Sequence, residues 1–176
     1  MRNFGFAGRD SVIYIGTNGK MTEVAAAMGL TSLESLDDLI AVNYHNYQTY
    51  QEMFNNIPGL EMITYDETEK CNFQYIIVKV DDTVTQVNRD QLVEILHAEN
   101  VLARRYFYPG CHQMEPYRSY FPHAGLLLPE TERLTQQVMS LPTGTAVDSD
   151  DIRRVGQIIR FVVERGAEVR SRLENA

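Results

Sequence analysis

Phe73-Gln74-Tyr75-Ile76-Ile77-Val78-Lys79-Val80 is the stretch around which the rest of the chain organises. Its β-branched and aromatic residues suit a pleated, half-buried backbone, so it predicts the strongest strand. Lys79 alternates with apolar neighbours and is expected to face solvent. Just upstream, Leu60-Glu61-Met62-Ile63-Thr64 predicts a shorter strand, and Pro58-Gly59 ends the helix before it. Just downstream, Asn88 is placed to cap a helix over residues 89–98, because a short polar side chain can accept from the free N–H groups of a first turn. Val101-Leu102-Ala103-Arg104-Arg105-Tyr106 reads as another strand.

Farther out, the apolar period changes from two to between three and four. Met21, Val24, Ala25 and Met28 predict a helix that Thr17 or Asn18 could cap. Leu33, Leu36, Leu39, Ile40, Tyr44, Tyr47, Tyr50 and Phe54 predict a long second helix over about residues 32–55. Beyond a Pro-, Gly- and aromatic-rich loop at 107–128, a helix is expected over 129–140, with Pro129 in the first turn where its missing N–H costs little. Leu141-Pro142-Thr143-Gly144 reads as a turn or short strand. A last helix over 148–173 opens on Asp148, Asp150 and Asp151, which suit the positive end of the helix dipole. Its buried face is Ile152, Val155, Ile159, Val162 and Val163. Residues 1–19 read as loop, punctuated by Gly5, Gly8, Gly16 and Gly19. A glycine-rich start with no element to lean on suggests that something upstream is missing. The order of elements predicts an α/β (α+β) fold, with helices packed on a small sheet.

Composition narrows the function. The 176 residues are 44% hydrophobic and 23% charged, enough for one core. A net charge of −8 repels phosphate backbones, so nucleic acid is not the expected partner. Two cysteines cannot make a disulfide framework, which points to a reducing, cytoplasmic setting. No apolar run reaches the length of a membrane span.

Two segments carry reactive residue types. Tyr108-Pro109-Gly110-Cys111-His112-Gln113-Met114-Glu115-Pro116-Tyr117 is the denser. Its Cys and His do not have metal-ligand spacing, and a His next to a Cys in sequence usually points away from it. The segment is either a tight loop with a packed, hydrogen-bonded His or a loop that lines a ligand pocket. Gly16-Thr17-Asn18-Gly19-Lys20-Met21-Thr22-Glu23 enters a helix with two glycines, an amide and a cation. That suits an anion, though on spacing alone a capped helix start with a solvated Lys is favoured. Lys20, Lys70 and Lys79 are the chain's only lysines. No nucleophile elbow, P-loop or dinucleotide fingerprint occurs.

At these residues the chain resembles a known family. Asn18-Gly19-Lys20-Met21-Thr22-Glu23-Val24-Ala25-Ala26-Ala27-Met28-Gly29-Leu30, then Leu33 and Leu36-Asp37, is similar to a block of the DegT/StrS sugar aminotransferases. Arg2-Asn3-Phe4-Gly5 resembles the R-N-x-G before that block. The run from Val101 to Pro109 with Cys111-His112 resembles the family's later Y-x-P-x-H loop, and Leu141-Pro142-Thr143-Gly144 with the final helix resembles its end. The likeness covers nearly the whole chain.

The resemblance implies a pyridoxal 5'-phosphate enzyme with the aspartate-aminotransferase type of fold. Such enzymes move an amino group from an amino acid, commonly glutamate, to a keto group of a nucleotide sugar, and work as homodimers. It implies that Asn18 reaches the cofactor phosphate of the neighbouring subunit with Lys20 beside it, and that Tyr108 and His112 lie near the sugar substrate. It implies a division into an interface loop and helix at 1–31, a long connecting helix at 32–57 and a small C-terminal α/β domain at 58–176. The family's Schiff-base Lys falls upstream of the R-N-x-G block, so no catalytic residue is expected within this chain. Three readings follow: the C-terminal portion of a sugar aminotransferase, one half of a split enzyme, or a non-catalytic module that dimerises or binds a nucleotide sugar.

Overall fold

A computed structural model describes residues 6–8, 11–17 and 19–175. Its contacts divide the chain into two compact units, Met1–Asp38 and Leu39–Ala176.

In the first unit, β1 (Phe6–Gly8) pairs antiparallel with β2 (Ser11–Val12), and α1 covers Glu23–Glu34. The cap of α1 is Thr22, whose Oγ1 accepts from the Ala25 N–H at 3.2 Å. The sequence placed the cap at Thr17 or Asn18, but Thr17 precedes the helix by several residues, and Asn18 lies outside the described residues. No residue of α1 is buried. The long helix expected from about residue 32 is interrupted instead: α1 runs to Glu34, and α2 covers Leu36–Phe54.

The second unit holds the core. Its sheet has the order β3 (Leu60–Met62), β4 (Ile76–Val80), β6 (Val138–Leu141), β5 (Arg104–Arg105), with every neighbouring pair antiparallel. Ile76, Val78 and Val80 of β4 are buried, as are Met139 and Leu141 of β6, so the alternate residues of adjacent strands share one apolar face. Against that core pack Tyr47, Tyr50 and Phe54 of α2, and Leu92, Val93 and Leu96 of α4 (Arg89–Ala98). Ile152, Val155, Ile159 and Val162 of α8 (Ser149–Glu164) complete it. The helix starts read from sequence at Asn88 and Asp148 are both capped. Asn88 and Gln91 form a capping box on α4, and Asp148 and Asp151 form one on α8.

Four local expectations are corrected. The central strand begins at Ile76 and not at residue 73, because Phe73 turns to a φ of 50° and packs into the core beside Tyr44, Tyr47 and Tyr65. The strand expected over 101–106 shrinks to β5. The helix expected through residue 140 stops as α7 (Pro129–Gln137), and the next four residues become β6, which lies between β4 and β5. The last helix breaks at Arg165 into α8 and α9 (Gly166–Glu174). A Cβ at Gly166 would fall 2.0 Å from the Thr85 carbonyl oxygen, in the short helix α3 (Asp82–Thr85), so this close approach requires glycine. Between β5 and α7 lie a 3-10 turn (Cys111–Gln113) and the short helices α5 (Tyr117–Tyr120) and α6 (Ala124–Leu127).

Candidate functional site

The segment between β5 and α7 holds two of the four residues singled out from sequence, Tyr108 and His112. They stand in different surroundings.

Tyr108 sits among charges. The Arg89 guanidinium carbon lies 5.1 Å from its ring centroid, and that of Arg105 lies 5.2 Å away. Asp90 joins the two cations: its Oδ1 accepts from Arg89 Nε at 2.8 Å and is 2.7 Å from Arg105 Nε. The Arg89 side chain is fully buried. Its Nη1 donates to the Val138 carbonyl of β6, while Nη2 is buried without a hydrogen-bond partner among the described residues. A buried, half-satisfied guanidinium is costly, and the negative face of an aromatic ring offsets part of that cost. Tyr108 therefore covers a cation that ties α4 to the sheet.

His112 is only 9% exposed, and its Nε2 lies 2.7 Å from Glu132 Oε1 on α7. Gln113 Nε2 donates to the same oxygen at 2.6 Å. These donors hold the Glu132 carboxyl below the usual carboxylate range, His112 first and Gln113 second. These contacts make His112 a packed, hydrogen-bonded residue of the loop. Cys111 beside it is exposed and free.

An apolar depression lies between Ile63, Tyr65, Tyr75, Phe107 and Leu134. Lys20 belongs to the first unit, where it is exposed in the extended stretch before Thr22. Lys79 pairs with Glu61 at 3.0 Å, and Lys70 is exposed after a turn. No group of His, Cys, Asp or Glu suited to hold a metal ion occurs among the described residues, and no described helix is long and apolar enough to cross a membrane.

Sequence reasoning missed Arg89, Asp90, Arg105 and Glu132. One signal was available for Arg89. A cation in the first turn of a helix opposes the dipole, so its presence there asks for a specific partner. Glu132 gave no such signal, because it and Glu130 both suit the first turn of α7 equally.

The sequence pattern of the DegT/DnrJ/EryC1/StrS aminotransferase family matches residues 1–160. The chain belongs to that family. Among DegT relatives, the dTDP-4-amino-4,6-dideoxy-D-glucose transaminase of Escherichia coli is 28% identical over 159 residues, which are 90% of this chain and 43% of that protein. The spore coat polysaccharide biosynthesis protein SpsC of Bacillus subtilis is 26% identical over 153 residues, 87% of this chain and 39% of its own length. The structure of DesI in the presence of its TDP-sugar product is 46% identical, with a TM-score of 0.85 over 98% of this chain and 43% of that one. The chain thus spans about 43% of the transaminase and of DesI. The α/β fold read from sequence is the fold these relatives share.

Proposed function

We propose that this chain is the C-terminal portion of a pyridoxal-phosphate-dependent nucleotide-sugar aminotransferase, which takes an amino group from an amino acid such as glutamate and delivers it to a keto-sugar nucleotide. The observation that carries the reading is the 46% identity to DesI across 98% of the chain. In it, residues 1–31 serve an interface, residues 32–57 connect, and residues 58–176 form the small domain of a cytoplasmic, homodimeric enzyme. Asn18 and Lys20 meet the cofactor phosphate, and Tyr108 and His112 face the sugar.

In this reading the chain does not hold the cofactor covalently by itself. None of the three lysines is buried, whereas a Schiff-base Lys works from a desolvated site. Around Lys20 the structure offers one exposed cation and a helix start whose cap Thr22 already fills. The reading therefore assigns the Schiff-base Lys to a segment outside these residues. When bound, the cofactor supplies the electron sink for amino transfer. This chain's part is to bind and orient phosphate and sugar.

The test mixes the purified chain with a polypeptide that carries the complementary large domain and follows amino transfer from glutamate to a dTDP-linked keto sugar. Activity is expected only with both polypeptides. In parallel, the chain alone is treated with pyridoxal phosphate and borohydride and mapped by mass spectrometry. Stoichiometric labelling of Lys20, Lys70 or Lys79 would overturn the assignment of the Schiff-base Lys elsewhere. Tight binding of the nucleotide sugar with no transfer in the mixture would replace the transferase reading with a non-catalytic binding module.

A further inference from the structure

We propose that Glu132 is a positioning residue: from α7 it gathers the loop at one carboxylate oxygen and holds His112 with the proton on Nε2, so that Nδ1 is the ring nitrogen offered to a hydroxyl of the sugar. The last step rests on the substrate role proposed above for His112; the first does not.

Four residues other than Glu132 converge on the arrangement. His112 Nε2 and Gln113 Nε2 both lie within hydrogen-bond reach of Glu132 Oε1, at 2.7 and 2.6 Å. An ionised carboxylate can only accept, so both partners donate, and that places the histidine proton on Nε2. A neutral imidazole with one nitrogen donating has the other free to accept. The two remaining residues are glycines that leave room for the pair. A Cβ on Gly110, whose φ is 99°, would lie 2.9 Å from His112 Cε1 and 3.1 Å from Nδ1. A Cβ on Gly125 would lie 2.7 Å from Glu132 Oε1. Gly110 and Gly125 flank the His112 ring and the Glu132 carboxylate, so a side chain at either position would force one of the two groups to shift. The loop from residue 110 to 125 is thereby pinned to α7 through one acceptor, and the depressed pKa of Glu132 is the electrostatic counterpart of that geometry.

The proton site on His112 is measurable directly, and the KM-against-kcat split in the two-polypeptide enzyme separates positioning from loop stability alone. NMR of the chain labelled with 15N-histidine is expected to show a downfield, slowly exchanging His112 proton bonded to Nε2. Glu132→Leu should lose it, and Glu132→Gln, which keeps an accepting oxygen, should restore it. A proton found on Nδ1, or an unchanged spectrum in Glu132→Leu, would overturn the positioning role. In the two-polypeptide enzyme, Glu132→Leu is expected to raise KM for the keto-sugar nucleotide roughly tenfold with kcat within about twofold, the size of one lost charge-assisted hydrogen bond. Recovery in Glu132→Gln is expected. A fall in kcat at unchanged KM, or no change in either, would overturn the contact from Nδ1 to the sugar. If the wild-type mixture has no activity, the proposed function fails while the NMR result still decides the role of Glu132.

Discussion

Helices α1 and α8 show two ways in which a helix can be written in one chain. α1 is rich in alanine, has a capping threonine and buries none of its residues. α8 is charged along much of its length and buries Ile152, Val155, Gly156, Ile159 and Val162. The first is specified by local preference, the second by packing. A helix of about 12 residues is marginal in water on local preference alone, so the two should differ sharply in what a substitution costs. Met21, Val24, Met28, Leu30 and Leu33 are all largely exposed. Contiguous exposed apolar surface of this kind favours association.

Truncating a buried side chain of α8 gives the largest break in this comparison. Ile159→Ala should lower the free energy of unfolding by about 2–5 kcal/mol in denaturant titration, because it removes buried methyls and leaves a cavity. Met28→Ala in α1 should change it by less than about 0.5 kcal/mol. Equal costs at the two sites would mean that α1 is packed in solution.

The caps test the same contrast at a smaller scale. Asp148 accepts from the N–H groups of Asp150 and Asp151 at 2.9 Å. Asp148→Ala should cost about 1 kcal/mol in the cooperative transition. Thr22→Ala should instead raise amide exchange within α1 alone, with the unfolding midpoint unchanged. A shift of that midpoint by Thr22→Ala would join the two helices into one cooperative unit.

The smallest expected effect is electrostatic and lies outside both helices. The Glu132 carboxyl is held low by its donors, so its contribution to stability is present above the ordinary carboxylate range and is lost as pH falls through its folded value. His112→Phe should let that carboxyl titrate at higher pH, and Gln113→Leu should do so to a lesser degree. Carbon-detected NMR titration of Glu132 reads both, and an unmoved titration in His112→Phe would remove His112 as its main partner.

What could be read from the sequence followed from local chemistry. Asn88, Asp148 and Pro129 mark helix starts by what their own side chains or rings do to a first turn, and each starts a helix in the structure. The strand centred on Ile76-Ile77-Val78 was legible because β-branched residues favour one backbone region. The family pattern was legible because it is a pattern of residue types. Val138–Leu141 was not, because four residues after a helix carry too little period to oppose continuing it. Their pairing with Ile76, Ile77, Val78 and Lys79, some 60 positions away, decides the matter. Among the site residues, the sequence marked Tyr108 and His112 as a reactive cluster but could not show that their partners are Arg89 and Arg105 for one and Glu132 for the other. By itself the sequence determined the central strand, the starts of α4, α7 and α8, and the family. Only the tertiary structure decided which strand lies between β4 and β5, which cation is buried under Tyr108, and which carboxylate holds His112. Burial and pairing join residues far apart in the chain, and local preference does not reach that far.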